Sequence, residues 1–438
     1  MKSFWLLVVA AVLLLVAPVR VGDLAGYDEA VYAHIAKAIV KSGNWVDIQS
    51  NGFPALEHPP GFVWMQAALF SLFGFSDALA KLPSALCGVG VVVLVFWLAR
   101  RLLGERAALI AMLVMLATPY FIKYTSHAMT DVPFTFLFLA AVCAWIKSEE
   151  HPAWYPAVWI FVSYALLTRG IVGFAVVGTL GIDAILRRRG ALAYVTLVLS
   201  AVPLAAWYAH LAQLHGDFFW QVQTSFLRDK TGVPNPLAYA WMLAKSYWPW
   251  LPFLAIGLWV RDPKLRLITI WAAMMYAAAS FSGAAVLRYL LPAYPAFSIL
   301  AAVGLMRVIP ERHLDAGLRW LAPIALLASI GIAIFPPVNL HAEEIKPIAT
   351  AAKSVTREDE RLGFYDAGQP RFDETGQIQW YGDRTMWIVT NETDFAKVPA
   401  RVWIVDGPAY DQRFATRSDV IARSGHLVLL RLTEPAQP

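Results

Sequence analysis

The chain has 438 residues, of which 58% are hydrophobic and only 15% charged, with a formal net charge of +5. That balance excludes an ordinary soluble domain. The apolar runs, each near the roughly 20 residues that cross about 30 Å of hydrocarbon as a helix, point to a polytopic helical membrane protein. They are apolar on every face, unlike the alternating strands of a β-barrel. The basic residues sit in short clusters between runs, which fits membrane orientation and not nucleic-acid binding.

The first run, Phe4 to about Val21, follows Met1-Lys2 and lacks a good small-residue cleavage site, Ala17-Pro18-Val19 being a poor one, so it reads as a retained first helix. The next piece, residues 22–79, is not plain linker. It opens with the adjacent carboxylates Asp28 and Glu29, where a chain leaving the bilayer first meets lipid headgroups. Val31, Ile35, Ala38 and Ile39 then share one face of a predicted helix over Tyr27 to Val40. Glu57-His58-Pro59-Pro60 follows, and Gly61 to Phe73 is a second short apolar segment, too short to span and read as a surface helix.

Further spans are predicted at about 80–99, 107–122, 131–147, 154–168, 171–186, 191–211, 237–260, 265–282, 286–306 and 317–335, about eleven in all. The positive charge tests the count, because Lys and Arg are retained on the cytoplasmic side. Arg100, Arg101 and Arg106, then Arg187 to Arg189, then Arg261, Lys264 and Arg266, then Arg307, Arg312 and Arg319 all fall on one side if the amino terminus is cytoplasmic. The other side receives residues 22–79, 212–236 and the tail. Cys87 and Cys143 lie inside apolar runs and read as small buried hydrophobes.

After Pro336-Pro337 the pattern turns soluble and charged. A helix is predicted from His341 to Val355, with strands at Leu362 to Tyr365, Met386 to Val389, Val402 to Val405 and Leu427 to Leu432. The expected fold is an all-α polytopic membrane protein of about 11 transmembrane helices, with surface helices in the first outer loop, plus a small C-terminal α/β soluble domain. The expected domains are 1–337, transmembrane, and 338–438, extracytoplasmic; the expected location is the cytoplasmic (inner) membrane.

This topology brings unusual polar residues to the outer side: Asp28 and Glu29, Glu57 and His58, Lys123, His127 and Asp131, Arg169, then Arg228 with Asp229 and Lys230, and Arg288-Tyr289. Each has a local alternative. Asp131 heads an apolar helix and precedes Val132-Pro133, so it can serve as an N-cap, and Asp28 can do the same for the helix after it. Lys123 and Lys245 can snorkel to the interface. Asp183, four residues before Arg187, reads as a structural ion pair near the inner surface. A carboxylate near an acceptor hydroxyl or amine can act as general base. Arg, Lys or His at headgroup depth can neutralise a lipid-linked phosphate, which then leaves without a general acid. Transfer of a sugar from a polyprenyl phosphate fits that inventory, with a lipid, glycan or protein as acceptor and the membrane holding the polyprenyl tail. No cofactor is marked by the sequence with certainty; Glu57 and His58 together could bind a divalent metal, a reading that rests only on their adjacency.

The chain resembles the integral-membrane glycosyltransferases of the C superfamily, in the bacterial branch related to protein O-mannosyltransferases and to the aminoarabinose lipid A transferase. The resemblance covers roughly residues 1–310. It rests on Asp28-Glu29 with Tyr32, Ser42-Gly43-Asn44-Trp45, Glu57-His58-Pro59-Pro60-Gly61-Phe62-Val63-Trp64, Leu72-Phe73-Gly74 with Leu82-Pro83-Ser84-Ala85-Leu86, Thr168-Arg169-Gly170, and Arg288-Tyr289-Leu290-Leu291-Pro292 with Tyr294-Pro295. It implies an inverting transfer of a hexosyl or pentosyl group with Asp28 as base and the Asp28-Glu29 pair as a first-loop signature. It also implies His58 as a phosphate contact, by likeness to a Lys-Pro-Pro element, and Arg288 as a second one. The lipid A branch usually has Arg where Val31 stands and Lys where His58 stands. A transporter or flippase for a lipid-linked sugar, or a glycan ligase, would share the outer cations; a transporter would instead gather ionisable residues at the bilayer midplane, commonly with repeated halves.

Overall fold

A computed structural model describes residues 2–230, 233–282, 285–338, 340–366 and 372–433. The chain divides into two compact units. One holds Met1–Arg20, Leu56–Met65 and Lys81–Pro337; the other holds Val21–Ala55, Gln66–Ala80 and Val338–Pro438. The tail is thus gathered with two parts of the first loop, a division different from the consecutive stretches 1–337 and 338–438.

The larger unit is helical. Among the described residues, six helical runs are long and apolar enough to cross a membrane: Lys2–Arg20, Asp77–Leu103, Pro152–Leu186, Ala191–His215, Leu287–Val308 and Glu311–Ile334. A bent pair makes a seventh. Length and composition alone therefore return six or seven of the eleven expected crossings. The others are shorter or fused: Asp131–Lys147 has 17 residues and Arg266–Ser280 has 15. The spans expected at 154–168 and 171–186 form one run, Tyr155–Arg169 and Phe174–Leu186 joined only by a 3₁₀ turn at Gly170–Gly173.

Two predicted spans are broken, and proline is the cause in each. The one expected at 107–122 is Glu105–Leu116 followed by Pro119–Thr125 at 67°. Pro119 lacks an N–H, and Thr118 before it is extended, φ −100 and ψ 103. The one expected at 237–260 is Pro236–Ser246 followed by Leu251–Trp259, with Pro249 and Pro252 around the break. Leu251–Trp259 meets Tyr294–Val308 backbone to backbone: a Cβ on Gly257 would fall 2.0 Å from the Leu300 carbonyl oxygen, and one on Gly304 2.0 Å from that of Phe253. Such small-residue contacts replace the hydrophobic effect as the glue between helices in lipid.

In the second unit, the predicted first-loop helix runs Gly26–Ser42. At its start the Glu29 carboxylate turns back to accept from the N–H of Ala25, the residue at the cap position, at 3.3 Å. Gly43, at φ +70, ends it and donates to the Ile39 carbonyl. A hairpin follows, β1 (Gln49–Ser50) and β2 (Phe53–Pro54), turning at Asn51 and Gly52, both at positive φ.

The tail forms a sheet of β3 (Leu362–Tyr365), β4 (Met386–Val389), β5 (Val402–Asp406), β6 (Ser418–Ser424) and β7 (Leu427–Leu432) in the order β4-β3-β5-β7-β6. β4, β3 and β5 are parallel, while β7 and β6 are antiparallel. Both faces are covered, as parallel strands require: Phe364, Ile404 and Leu429 pack with Ile345 and Ile348, and Tyr365, Trp403 and Val405 pack with Phe395 and Phe414. Three predicted strands have their observed bounds and the fourth gains one residue. The predicted helix starts at Ile345, and β6 and the helix Phe372–Gly382 were not predicted. Asp23 ties the loop to the tail by accepting from the His341 and Ala342 N–H groups at 2.6 and 3.0 Å, and Asn51 pairs with both backbone groups of Met386.

Candidate functional site

The site of the membrane unit is built from chain segments that are far apart in sequence. The first is the loop Leu56–Gly61. Gly61 lies flat on the end of Tyr155–Arg169: an added Cβ would sit 2.6 Å from Thr168 Oγ1 and 2.7 Å from the Leu167 carbonyl oxygen. Tyr164 donates its hydroxyl to the Gly61 carbonyl at 2.9 Å. That helix stops because Gly170 takes φ +55 and ψ −126, open only to glycine. An added Cβ there would press on Pro59 and Tyr208, each at 3.3 Å. Glu57-His58-Pro59-Pro60-Gly61 and Thr168-Arg169-Gly170 are therefore one packed feature.

Arg169, at this helix end, reaches Asp131 with Nη2 to Oδ1 at 2.8 Å and donates from Nη1 to Thr130 Oγ1 at 2.7 Å. Asp131 is fully buried. Its other oxygen, Oδ2, and the Arg169 Nε are buried and have no hydrogen-bond partner among the described residues. Asp131 is the first residue of Asp131–Lys147 and its cap position is held by Thr130, which makes no side-chain cap bond. The expected N-cap role of Asp131 is thus replaced by an ion pair.

The third contribution is the turn Leu287–Ala293. The Tyr289 ring lies 5.5 Å from the Arg169 guanidinium and 5.9 Å from that of Arg288, so one phenol ring serves two like charges. Tyr124 is within electrostatic reach of Arg288 and Asp131, and its ring packs 5.4 Å from Tyr120 and 5.8 Å from His127. Lys123 lies over Tyr124 at 5.7 Å.

The fourth is the amphipathic helix Asp217–Lys230. Phe219 is buried against Tyr208, the Gln223 amide donates to the Leu56 carbonyl, and Phe226 meets the His58 ring at 5.1 Å and 89°. Arg228 on the same helix is exposed, as is Glu57. The side chains of Asp229 and Lys230 lie outside the described residues.

Of the sequence-predicted residues, Asp131, Arg169, Arg288, Tyr289 and His127 come together, and His58 is drawn in by the packing of Pro59 on Gly170. Asp28 and Glu29 belong to the other unit, in the first turn of Gly26–Ser42. Glu29 is buried; Asp28 is partly exposed. Among the described residues, no three or more His, Cys, Asp or Glu are grouped to hold a metal ion. Sequence reasoning missed Thr130, Tyr124, Gln223 and Phe226. Only the period of the buried and half-buried positions 219, 222, 223, 226 and 227 signals that the last two share a face.

In the second unit, Asp383 gathers Lys37 at 3.0 Å, Lys41 at 2.9 Å and Lys353 at 3.5 Å. Burial works against its charge, yet the hydrogen bonds from Lys41 and Lys37 hold the carboxyl well below the usual range. On the same helix, burial and the neighbouring Lys37 push His34 down to about 4.

A family model described as dolichyl-phosphate-mannose-protein mannosyltransferase matches residues 57–211. An uncharacterized protein of Aquifex aeolicus is 25% identical over 356 residues, covering 76% of this chain and 70% of that one. An undecaprenyl phosphate-alpha-4-amino-4-deoxy-L-arabinose arabinosyl transferase of Edwardsiella ictaluri is 27% identical over 362 residues, 72% of this chain and 63% of that one. The chain thus spans about two thirds of the length of these relatives. The crystal structure of ArnT from Cupriavidus metallidurans bound to undecaprenyl phosphate shares the fold, with a TM-score of 0.79, 19% identity and 99% of both chains covered.

Proposed function

We propose, for a chain related to the integral-membrane glycosyltransferases of the C superfamily, that it moves a sugar from a polyprenyl-phosphate donor to an acceptor at the outer face of the cytoplasmic membrane. The observation that carries this is the pair of guanidiniums, Arg169 and Arg288, on one Tyr289 ring beside buried Asp131. With the Asp131 carboxylate counted, the two guanidiniums leave one net positive charge, which matches a phosphodiester, and arginine suits it by geometry as well. His58, on the loop locked to Thr168-Arg169-Gly170, supplies a third partner.

The phosphate is the leaving group. Charge-paired, it departs without a general acid, while a carboxylate takes the proton of the attacking hydroxyl or amine. That base is assigned to Asp28, because Glu29 beside it is buried and committed to the Ala25 N–H. The relatives named for arabinosyl transfer favour a pentose, and the polyprenyl chain of the donor lies among the apolar helices. The tail, in this reading, is extracytoplasmic.

Asp28→Asn should abolish transfer in purified, reconstituted protein while undecaprenyl phosphate still binds. Normal turnover by this variant would remove Asp28 from the mechanism. Sugar flux across vesicles without any glycosylated product would favour the transporter reading.

A further inference from the structure

The buried and half-buried positions of the helix Asp217–Lys230, 219, 222, 223, 226 and 227, make one stripe, and two of them, Gln223 and Phe226, contact the loop that carries His58. Gln223 holds the loop backbone through the Leu56 carbonyl, and Phe226 sets its ring perpendicular to the imidazole at 5.1 Å. Phe219, one turn earlier, anchors the helix on Tyr208, the residue whose hydroxyl also faces Gly170. From the other side, Pro59 and Gly61 are fixed on Leu167 to Gly170. The His58 backbone is therefore clamped on both flanks, and Phe226 meets its ring directly.

We propose that Phe226 is a positioning residue: it fixes the orientation of the His58 imidazole, and the helix Asp217–Lys230 thereby sets the affinity of the membrane unit for a phosphate monoester on a lipid. This rests on the assignment of His58 to the donor phosphate. A perpendicular aromatic pair limits rotation of the smaller ring, so an N–H is presented in one direction instead of being averaged over several. An aromatic ring of similar size preserves that function; truncation removes it even where the backbone stays in place.

The test uses the full chain in lipid nanodiscs, titrated with undecaprenyl phosphate. Phe226→Ala should weaken binding about three- to tenfold, and Phe226→Tyr should bind within about twofold of the parent. His58→Gln should weaken binding by itself, and adding Phe226→Ala to it should cost little more, because the two side chains act as one unit. If Phe226→Ala weakens binding equally with and without His58, or leaves it unchanged while His58→Gln weakens it, the positioning role is overturned and the function stands. If His58→Gln leaves binding unchanged, His58 is not a phosphate partner and the inference falls with that assignment.

Discussion

Two aspartates of the membrane unit, Asp183 and Asp131, are both fully buried and both meet an arginine at 2.8 Å, yet their surroundings differ. Around Asp183 both carboxylate oxygens are engaged: Arg187 Nε donates to Oδ1, Trp145 Nε1 donates to Oδ2 at 2.9 Å, and Arg189 stacks on Trp145 at 4.1 Å while it pairs with Glu149. Around Asp131, among the described residues, Oδ1 is engaged and Oδ2 is buried without a hydrogen bond. A half-satisfied buried carboxylate costs stability that Asp183 does not give up. Such exceptions gather where a site must bind something. The local pattern that identified Asp183, an arginine four residues on, is what Asp131 lacks: its partner comes from 38 residues away.

Exchanging each carboxylate for an amide separates the two roles. Asp183→Asn should lower stability by about 3 kcal/mol or more, since a buried charged network loses its acceptor, with undecaprenyl phosphate affinity unchanged in the protein that remains folded. Asp131→Asn should lower stability less and reduce transfer about 10- to 100-fold, the value of one or two charge-assisted hydrogen bonds. Thermal unfolding and turnover measured on both proteins decide it; equal loss of activity in the two would erase the distinction.

A third cluster, half-buried Asp383 with its lysines, lies beside His34, whose Nδ1 is buried without a partner among the described residues. The folded pKa of His34, about 4, is below its ordinary 6.5. The unfolded chain therefore binds more protons between those values, and stability is complete above pH 6.5 and falls as pH drops towards 4, by about 3 kcal/mol. Asp383 carries the same sign at still lower pH. Hydrogen exchange over Gly26–Ser42 between pH 7 and 4 should show accelerating opening, and His34→Gln should flatten that slope.

A smaller effect is expected where the comparison concerns shape instead of charge. Gly61→Ala must push the His58 loop off the Leu167 carbonyl, which costs about 1–3 kcal/mol and should weaken undecaprenyl phosphate binding severalfold. Gly181→Ala, where nothing lies within 4 Å of the new Cβ, should change neither stability nor binding. Matching results for the two alanines would show that the packed loop does not shape the site.

The membrane class, the helix Gly61–Phe73, most of the first-loop helix and four of the tail's strands were legible in the sequence, because apolar length, periodicity and composition act over a few neighbouring residues. The cations and acids were legible as a list. Which of them touch was not: Thr130, Tyr289 and Asp131 around Arg169 are brought together by a positive-φ glycine and the packing of Pro59 and Gly61, contacts between segments separated by tens to hundreds of residues. The strand β6, whose residues are largely polar, and the breaks at Thr118 and Tyr247 escaped for a related reason. Local chemistry fixes what each stretch can form; burial, steric fit and the satisfaction of buried polar groups, which belong to the assembled chain, decide which of those possibilities is kept and which side chains share a site.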